Sequence, residues 1–204
     1  MRKSSTCRII READNLSWEL PAPIRYNWVP MLYLRDLPKY EAIEQRSKRY
    51  PQVEAAAVQS FLVLLRVASD VLETFEQFLA RHGMSQGRFS VLMLLNRDPD
   101  QPMSPSDLAV KCGVTRATMT GLLDGLERER LIKREADRND RRMLLIQLTT
   151  KGRKMLDGML PDYYHRIALL MNHLSDAEKH QLVELLGKVN GGITAVLNPN
   201  GAPV

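Results

Sequence analysis

Apolar residues recur at helical spacing along most of this chain, and between residues 131 and 148 the period shortens to two. Val53, Ala57, Phe61, Leu64, Leu65, Ala68, Val71, Leu72, Phe75, Phe78 and Leu79 form one apolar stripe. That stripe predicts a long helix from residue 51 to about residue 82, stopped by Gly83. At 1.5 Å per residue such a helix spans roughly 45 Å, more than one small core requires. Part of its stripe is therefore expected to pack on a second chain. Ser85 caps the next helix, which runs to residue 96 with Phe89, Leu92 and Leu95 inward. Asp98-Pro99-Asp100-Gln101-Pro102 then reads as a loop.

Ser104-Pro105-Ser106-Asp107 opens the segment around which the rest is arranged. It supplies a Ser cap, a Pro at the first helical position and an acid three residues after the cap. The short helix that follows ends near Cys112 at Gly113, the residue type a tight helix–helix turn needs. Thr115 caps a second helix with Met119, Leu122, Leu123 and Leu126 on one apolar face. The opposite face reads Arg116, Ala117, Thr120, Gly121 and Asp124. Two short helices joined by a Gly turn make a helix-turn-helix, whose second helix enters the DNA major groove. Small residues allow close approach to base edges, and Thr and Arg supply the hydrogen-bonding groups. Leu131-Ile132-Lys133-Arg134 and Met143-Leu144-Leu145-Ile146-Gln147-Leu148 read as two strands, with Leu144, Ile146 and Leu148 on one face. The charged tip between them, residues 135 to 142, makes this hairpin a wing. Its Arg141 and Arg142 are placed to reach a narrow, electronegative minor groove.

After the wing, Thr149 or Thr150 caps a helix to about residue 173, which Pro161 should bend. Ser175-Asp176-Ala177-Glu178 is a capping box for a last amphipathic helix carrying Leu182, Leu185, Leu186 and Val189, stopped by Asn190-Gly191-Gly192. Residues 1 to 50 differ in composition. They hold Trp18, Tyr26, Trp28, Tyr33, Tyr40 and Tyr50, six of the chain's eight Trp and Tyr, and a cluster of prolines. This reads as an irregular arm packed on the body, with a short helix over residues 39 to 49; a disordered tail is the alternative. Three segments result: an aromatic and Pro-rich extension at 1–50, a helical body at 51–190 whose reading head spans about 84–149, and a flexible tail at 191–204. The fold class is mainly α with a small β-hairpin wing, the head flanked by N- and C-terminal dimerisation helices.

Charge sharpens this picture. The 204-residue chain carries a formal +5. Between residues 115 and 154 eleven Lys and Arg stand against six acids, also +5, so the remainder is neutral. Concentration of positive charge on the segment with DNA-reading geometry points to a phosphate footprint. No apolar stretch of membrane length or secretory signal is read in the sequence. Only Cys7 and Cys112 are present, too few for a disulfide scaffold. Cys112 reads as a small buried hydrophobe, and a redox role for either thiol is the alternative. The chain has no Walker loop, GxGxxG, GxSxG or HExxH, so no enzyme, cofactor or metal is expected. The four His, at 82, 165, 173 and 180, are scattered over helices.

The run DLAVKCGVTRATMTGLLDGLERERLIKREADRNDRRMLLIQLTTKG resembles the winged helix-turn-helix of the MarR (multiple antibiotic resistance regulator) family. The capped helix, Gly turn, small-polar second helix, D-R-x-D-R-R tip and closing L-T-x-x-G carry the resemblance, which extends over about residues 52 to 189. It implies that Asp140 orients the guanidinium of Arg142 in the minor groove and that Thr115, Arg116, Thr118 and Thr120 contact the major groove. With Ser104, Gly121, Arg138 and Arg141 these complete the expected DNA-binding set. The resemblance also implies a homodimer on a pseudo-palindromic operator and a small, often aromatic or anionic effector. For that effector the candidates are Trp28, Tyr33, Arg66, Asp70, His82 and Arg88, with Arg88, beside inward Phe89, the first choice as an anion partner. The expected protein is thus a cytoplasmic, sequence-specific transcriptional regulator that binds double-stranded DNA, most simply a repressor relieved by a ligand. Alternatives are a winged-helix protein-interaction module, which would more often expose aromatics and Met on its second helix, and a cysteine-based redox-responsive regulator.

Overall fold

The structure, a computed structural model, describes residues 9–12, 15–18, 37–99, 101–136 and 143–197. The chain divides into two compact units, one of residues 26–149 and one of residues 1–25 together with 150–204.

In the second of these units a short antiparallel hairpin pairs β1 (Ile9–Glu12) with β2 (Asn15–Trp18), Ile9 opposite Trp18 and Glu12 opposite Asn15. The arm is therefore not irregular throughout. The β-branched Ile9 and Ile10 and the aromatic Trp18 are the sequence signal that the Pro-rich composition obscured.

In the unit of residues 26–149, α1 (Tyr40–Arg49) packs on α2 (Ala55–Arg81) and buries Ile43. The expected helix start at residue 51 is corrected to Ala55. Val53 N–H first closes a turn on the Tyr50 carbonyl, and Val58 N–H on Glu54 begins the helical ladder. At its other end Gly83 takes a left-handed φ of 66°, and Met84 N–H reaches back to the Leu79 carbonyl at 3.0 Å, a glycine-dependent stop. Along α2 only Phe78 and Leu79 are buried, whereas Phe61, Val63, Val67 and Leu72 are exposed. By length and composition α2 is apolar enough to cross a bilayer, contrary to the expectation that no such stretch exists. Arg66 and Asp70, paired at 2.8 Å in its middle, would be costly in hydrocarbon.

The core lies where α3 (Gln86–Arg97), α4 (Pro105–Cys112) and α5 (Arg116–Arg128) meet the hairpin β3 (Ile132–Ala136) and β4 (Leu144–Leu148). Leu92, Leu108, Leu123, Leu126 and Ile146 are fully buried there. α3 and α5 approach so closely at Gly87 that an added Cβ would lie 3.2 Å from Leu122 Cδ1. Leu122 therefore covers α3 from the edge of the apolar stripe. β3 and β4 are antiparallel, Ile132 opposite Leu148 and Ala136 opposite Leu144. Met103, just before α4, bonds Ile146 in both directions (2.8 and 3.2 Å) and adds a third-strand bridge. Leu144 does not share the inner face as expected; it is exposed. Its partner Ala136 is exposed too, so this end of the hairpin runs past the core.

The junction between α5 and β3 uses Arg130 at a φ of 59°, a left-handed conformation that costs a side-chain-bearing residue about 1 kcal/mol or more. Arg130 N–H bonds Glu127 O (2.8 Å) and Leu131 N–H bonds Leu126 O (2.9 Å). The Thr149 hydroxyl donates to the Arg130 carbonyl at 2.7 Å, which holds the turn in place.

α6 (Thr150–Met171), with Pro161 inside it, and α7 (Asp176–Gly191) belong to the other unit. The expected capping box is formed: Ser175 Oγ accepts from Glu178 N–H, and Ser175 N–H donates to the Glu178 carboxylate at 2.8 Å. The Ser175 bonds hold the Glu178 carboxyl below its ordinary pKa. Part of the tail expected to be loose, residues 193–197, is helical, and residues 198–204 lie outside the described residues. Gly192 keeps right-handed helical angles and its carbonyl accepts from Ala195, so the chain continues into α8 (Ile193–Leu197).

Candidate nucleic-acid interface

The first helix of the reading unit, α4, begins at Ser104. Its Oγ accepts from Asp107 N–H at 3.1 Å and donates to the Asp107 carboxylate at 2.7 Å. Ser104 is only 6% exposed. It was expected among the DNA contacts, and the structure engages its hydroxyl inside the cap. At the other end of α4, Gly113 has a φ of 66° and Val114 N–H reaches the Ala109 carbonyl, so the chain turns directly into α5.

Thr115 caps α5, accepting from Thr118 N–H at 3.1 Å, with the two hydroxyls 2.9 Å apart. Met119, Leu123 and Leu126 face the core, while Thr115, Arg116, Ala117, Thr118, Thr120 and Gly121 are exposed. The helix thus displays one continuous small and polar face. Thr120 Oγ1 donates to the Arg116 carbonyl at 3.0 Å. Its proton is committed and its lone pairs are left to accept, as from the amino group of an adenine or cytosine. A Cβ on Gly121 would have nothing within 4 Å, so the fold does not require glycine there.

The acids of this helix and of its cap are all paired with cations from neighbouring elements. Arg134 of β3 places Nη2 2.5 Å from Asp124 and Nη1 3.4 Å from Glu127. Arg88 of α3 places Nη2 2.5 Å from Glu129, the cap residue at the end of α5. Arg116 at the front of the helix has no ion-pair partner among the described residues. Sequence pattern found the face but not these counter-ions, because the partners are distant in sequence and share no period.

The expected wing-tip contacts Arg138, Asp140, Arg141 and Arg142 lie outside the described residues, as do the effector candidates Trp28 and Tyr33. Of the other candidates, Arg66 and Asp70 pair with each other, and exposed His82 caps α2 with its ring 4.9 Å from Phe78. Arg66 and His82 are separated by roughly 24 Å of helix, so they do not converge on one small site within a chain. Arg88 already has an acid partner, which counts against it as the first choice for an effector anion. Burial pushes the Cys112 thiol up to about 11, the reverse of what a redox-sensing thiolate needs; Cys7 lies outside the described residues.

Comparison with known proteins agrees with this geometry. The sequence model of the MarR family matches residues 82–143. The HTH-type transcriptional repressor YetL of Bacillus subtilis (strain 168) is 38% identical over 154 residues, which cover 76% of this chain and 92% of that protein. Among solved structures, the Staphylococcus aureus MepR–DNA complex aligns with a TM-score of 0.57 at 26% identity, covering 64% of this chain and 94% of MepR. Bordetella bronchiseptica BpsR, whose DNA binding is regulated by 6-hydroxynicotinic acid, aligns with a TM-score of 0.55 at 26% identity, covering 64% and 98%.

Proposed function

The chain belongs to the MarR family of non-enzymatic, DNA-binding transcriptional regulators, and from that premise we propose that it is a homodimeric repressor released from a pseudo-palindromic operator by a small aromatic or anionic ligand. The observation that carries the DNA-reading part is the α5 face: Thr115, Arg116, Thr118, Thr120 and Gly121 exposed together, with every acid of the helix paired to a cation. The wing residues Arg138, Asp140, Arg141 and Arg142 supply the minor-groove contact by the same family likeness.

Exposed Phe61, Val63, Val67 and Leu72 on α2, with Leu185, Leu186 and Val189 on α7, support a dimer in which these faces are covered. Two heads related by a two-fold axis read two half-sites. The repressor YetL supports repression, and BpsR supports a ligand of the aromatic-acid class. Trp28, Tyr33, Arg66, Asp70 and His82 remain the candidates for that ligand's site, and Arg66 and His82 could meet only across two chains or through separate sites. A DNA partner places the protein in the bacterial cytoplasm.

A gel-shift assay with DNA from immediately upstream of its own gene tests the proposal. A shifted band that survives excess random-sequence competitor is expected. Equal competition by random DNA would contradict specific reading.

A further inference from the structure

We propose that Arg134 is an internal counter-ion of the reading helix, a positioning residue that serves DNA binding through Asp124 and Glu127 without touching DNA. The proposal rests on the DNA-reading role of α5. Asp124 lies on the same side of α5 as Thr120 and Gly121, one turn further along, and is exposed. Glu127 follows one turn later. A helix lying in a major groove about 12 Å wide has phosphates on both sides, within roughly one Debye length of any acid on its surface. Two bare carboxylates there would repel the duplex.

Arg134 removes that repulsion from inside the protein. It projects from the middle of β3, opposite Ile146, and one guanidinium spans both acids, with Nη2 2.5 Å from Asp124 and Nη1 3.4 Å from Glu127. Its side chain is 25% exposed against 48% and 41% for the acids, so the cation is the inner member of the cluster. Holding the hairpin in place does not require it. The hairpin is already fixed by the Met103–Ile146 bridge, by Thr149 on the Arg130 carbonyl and by burial of Ile132, Ile146 and Leu148. Masking charge is the task left to Arg134. Sequence counting enters it among the DNA-facing cations, whereas the structure commits it to neutralising two acids.

The test compares wild type, Arg134→Ala, Arg134→Ala with Asp124→Asn and Glu127→Gln, and Asp124→Asn with Glu127→Gln alone. Affinity is measured by fluorescence anisotropy on a random-sequence duplex and on the duplex upstream of the protein's own gene, over a salt series. Arg134→Ala should weaken both by about tenfold at moderate salt, and neutralising both acids in that background should restore affinity to within about twofold. With Arg134 retained, neutralising the acids frees a cation, so random-duplex affinity should rise several-fold with a salt slope steeper by about 0.9. That last variant also decides the matter if Arg134→Ala does not fold. Full affinity in Arg134→Ala, a loss that neutralising the acids does not restore, or no gain in the Asp124→Asn/Glu127→Gln variant would overturn the proposal. Wild type binding neither duplex would overturn the regulator reading, and this role with it.

Discussion

Arg88 of α3 meets Glu129 at the end of α5, with Nη2 and Oε2 2.5 Å apart. The contact is electrostatic rather than a well-aligned hydrogen bond, since Nε and Nη2 of Arg88 are buried without a directed acceptor. Nη1 reaches toward the Gly83 carbonyl at 3.4 Å. One side chain thus ties the turn after α2 to the far end of the reading helix. Arg88→Ala should destabilise the protein by about 1–2 kcal/mol, through lost stem packing and the lost pair. A double-mutant cycle with Glu129→Gln should give a coupling of about 0.5–1 kcal/mol by thermal or urea unfolding. Zero coupling, with ligand response lost at unchanged stability, would show instead that Arg88 is an effector contact.

At Gly121 the fold and the proposed function make opposite demands. Nothing within 4 Å opposes a side chain, so Gly121→Leu should leave the melting temperature unchanged or raise it, since glycine costs about 1 kcal/mol inside a helix. DNA affinity should nevertheless collapse toward the non-specific level, because Leu would occupy the space of a base edge. Melting and gel-shift assays on one preparation check both halves, and unaltered specific binding would place another face in the groove.

The wing carries the other groove contact in the proposed complex. Arg142→Ala should weaken operator binding by about 1–3 kcal/mol, and Asp140→Ala should do the same by leaving that guanidinium unoriented. Titrating both variants against the operator at physiological salt is the check; affinity unchanged in both would remove the wing from the interface.

The head was legible in the sequence because its signals are local. Ser104 and Thr115 announce two helix starts, Gly113 a left-handed turn, and the Met119, Leu123 and Leu126 spacing a buried face, all of which the structure contains. The capping box at Ser175 and Glu178 belongs to the same class. What stayed hidden depends on contacts between distant residues. Nothing near Arg134 in sequence points to Asp124, and nothing near Met103 marks it as a strand partner of Ile146. The turn at Arg130 was hidden in another way: glycine is the usual sign of a left-handed turn, and here an arginine takes that conformation, held by Thr149. The double glycine at the end of α7 misled in the reverse direction, since Gly192 stays right-handed and the chain goes on into α8.

Cys112 gives a prediction with a definite sign. Burial raises its thiol from 9.0 to about 11, so folding favours the protonated form. The resulting stability is fully present below 9.0 and is lost as the pH rises through about 11. Cys112→Ser should flatten this alkaline fall in stability. Alkylation of the thiol should be slow at neutral pH, and mild peroxide should leave DNA affinity intact. Rapid labelling at pH 7, or release from DNA on oxidation, would favour a redox-responsive regulator.

The most direct test of the central claim, a two-fold dimer reading DNA through α5, is a footprint on the DNA upstream of the protein's own gene with the bound stoichiometry measured in parallel. We predict two protected half-sites whose centres lie one helical turn apart, about 10 base pairs or a multiple of it, occupied by two chains. Gly121→Leu should abolish both at once. A single half-site held by one chain, or protection that appears only where random DNA is equally covered, would contradict the account.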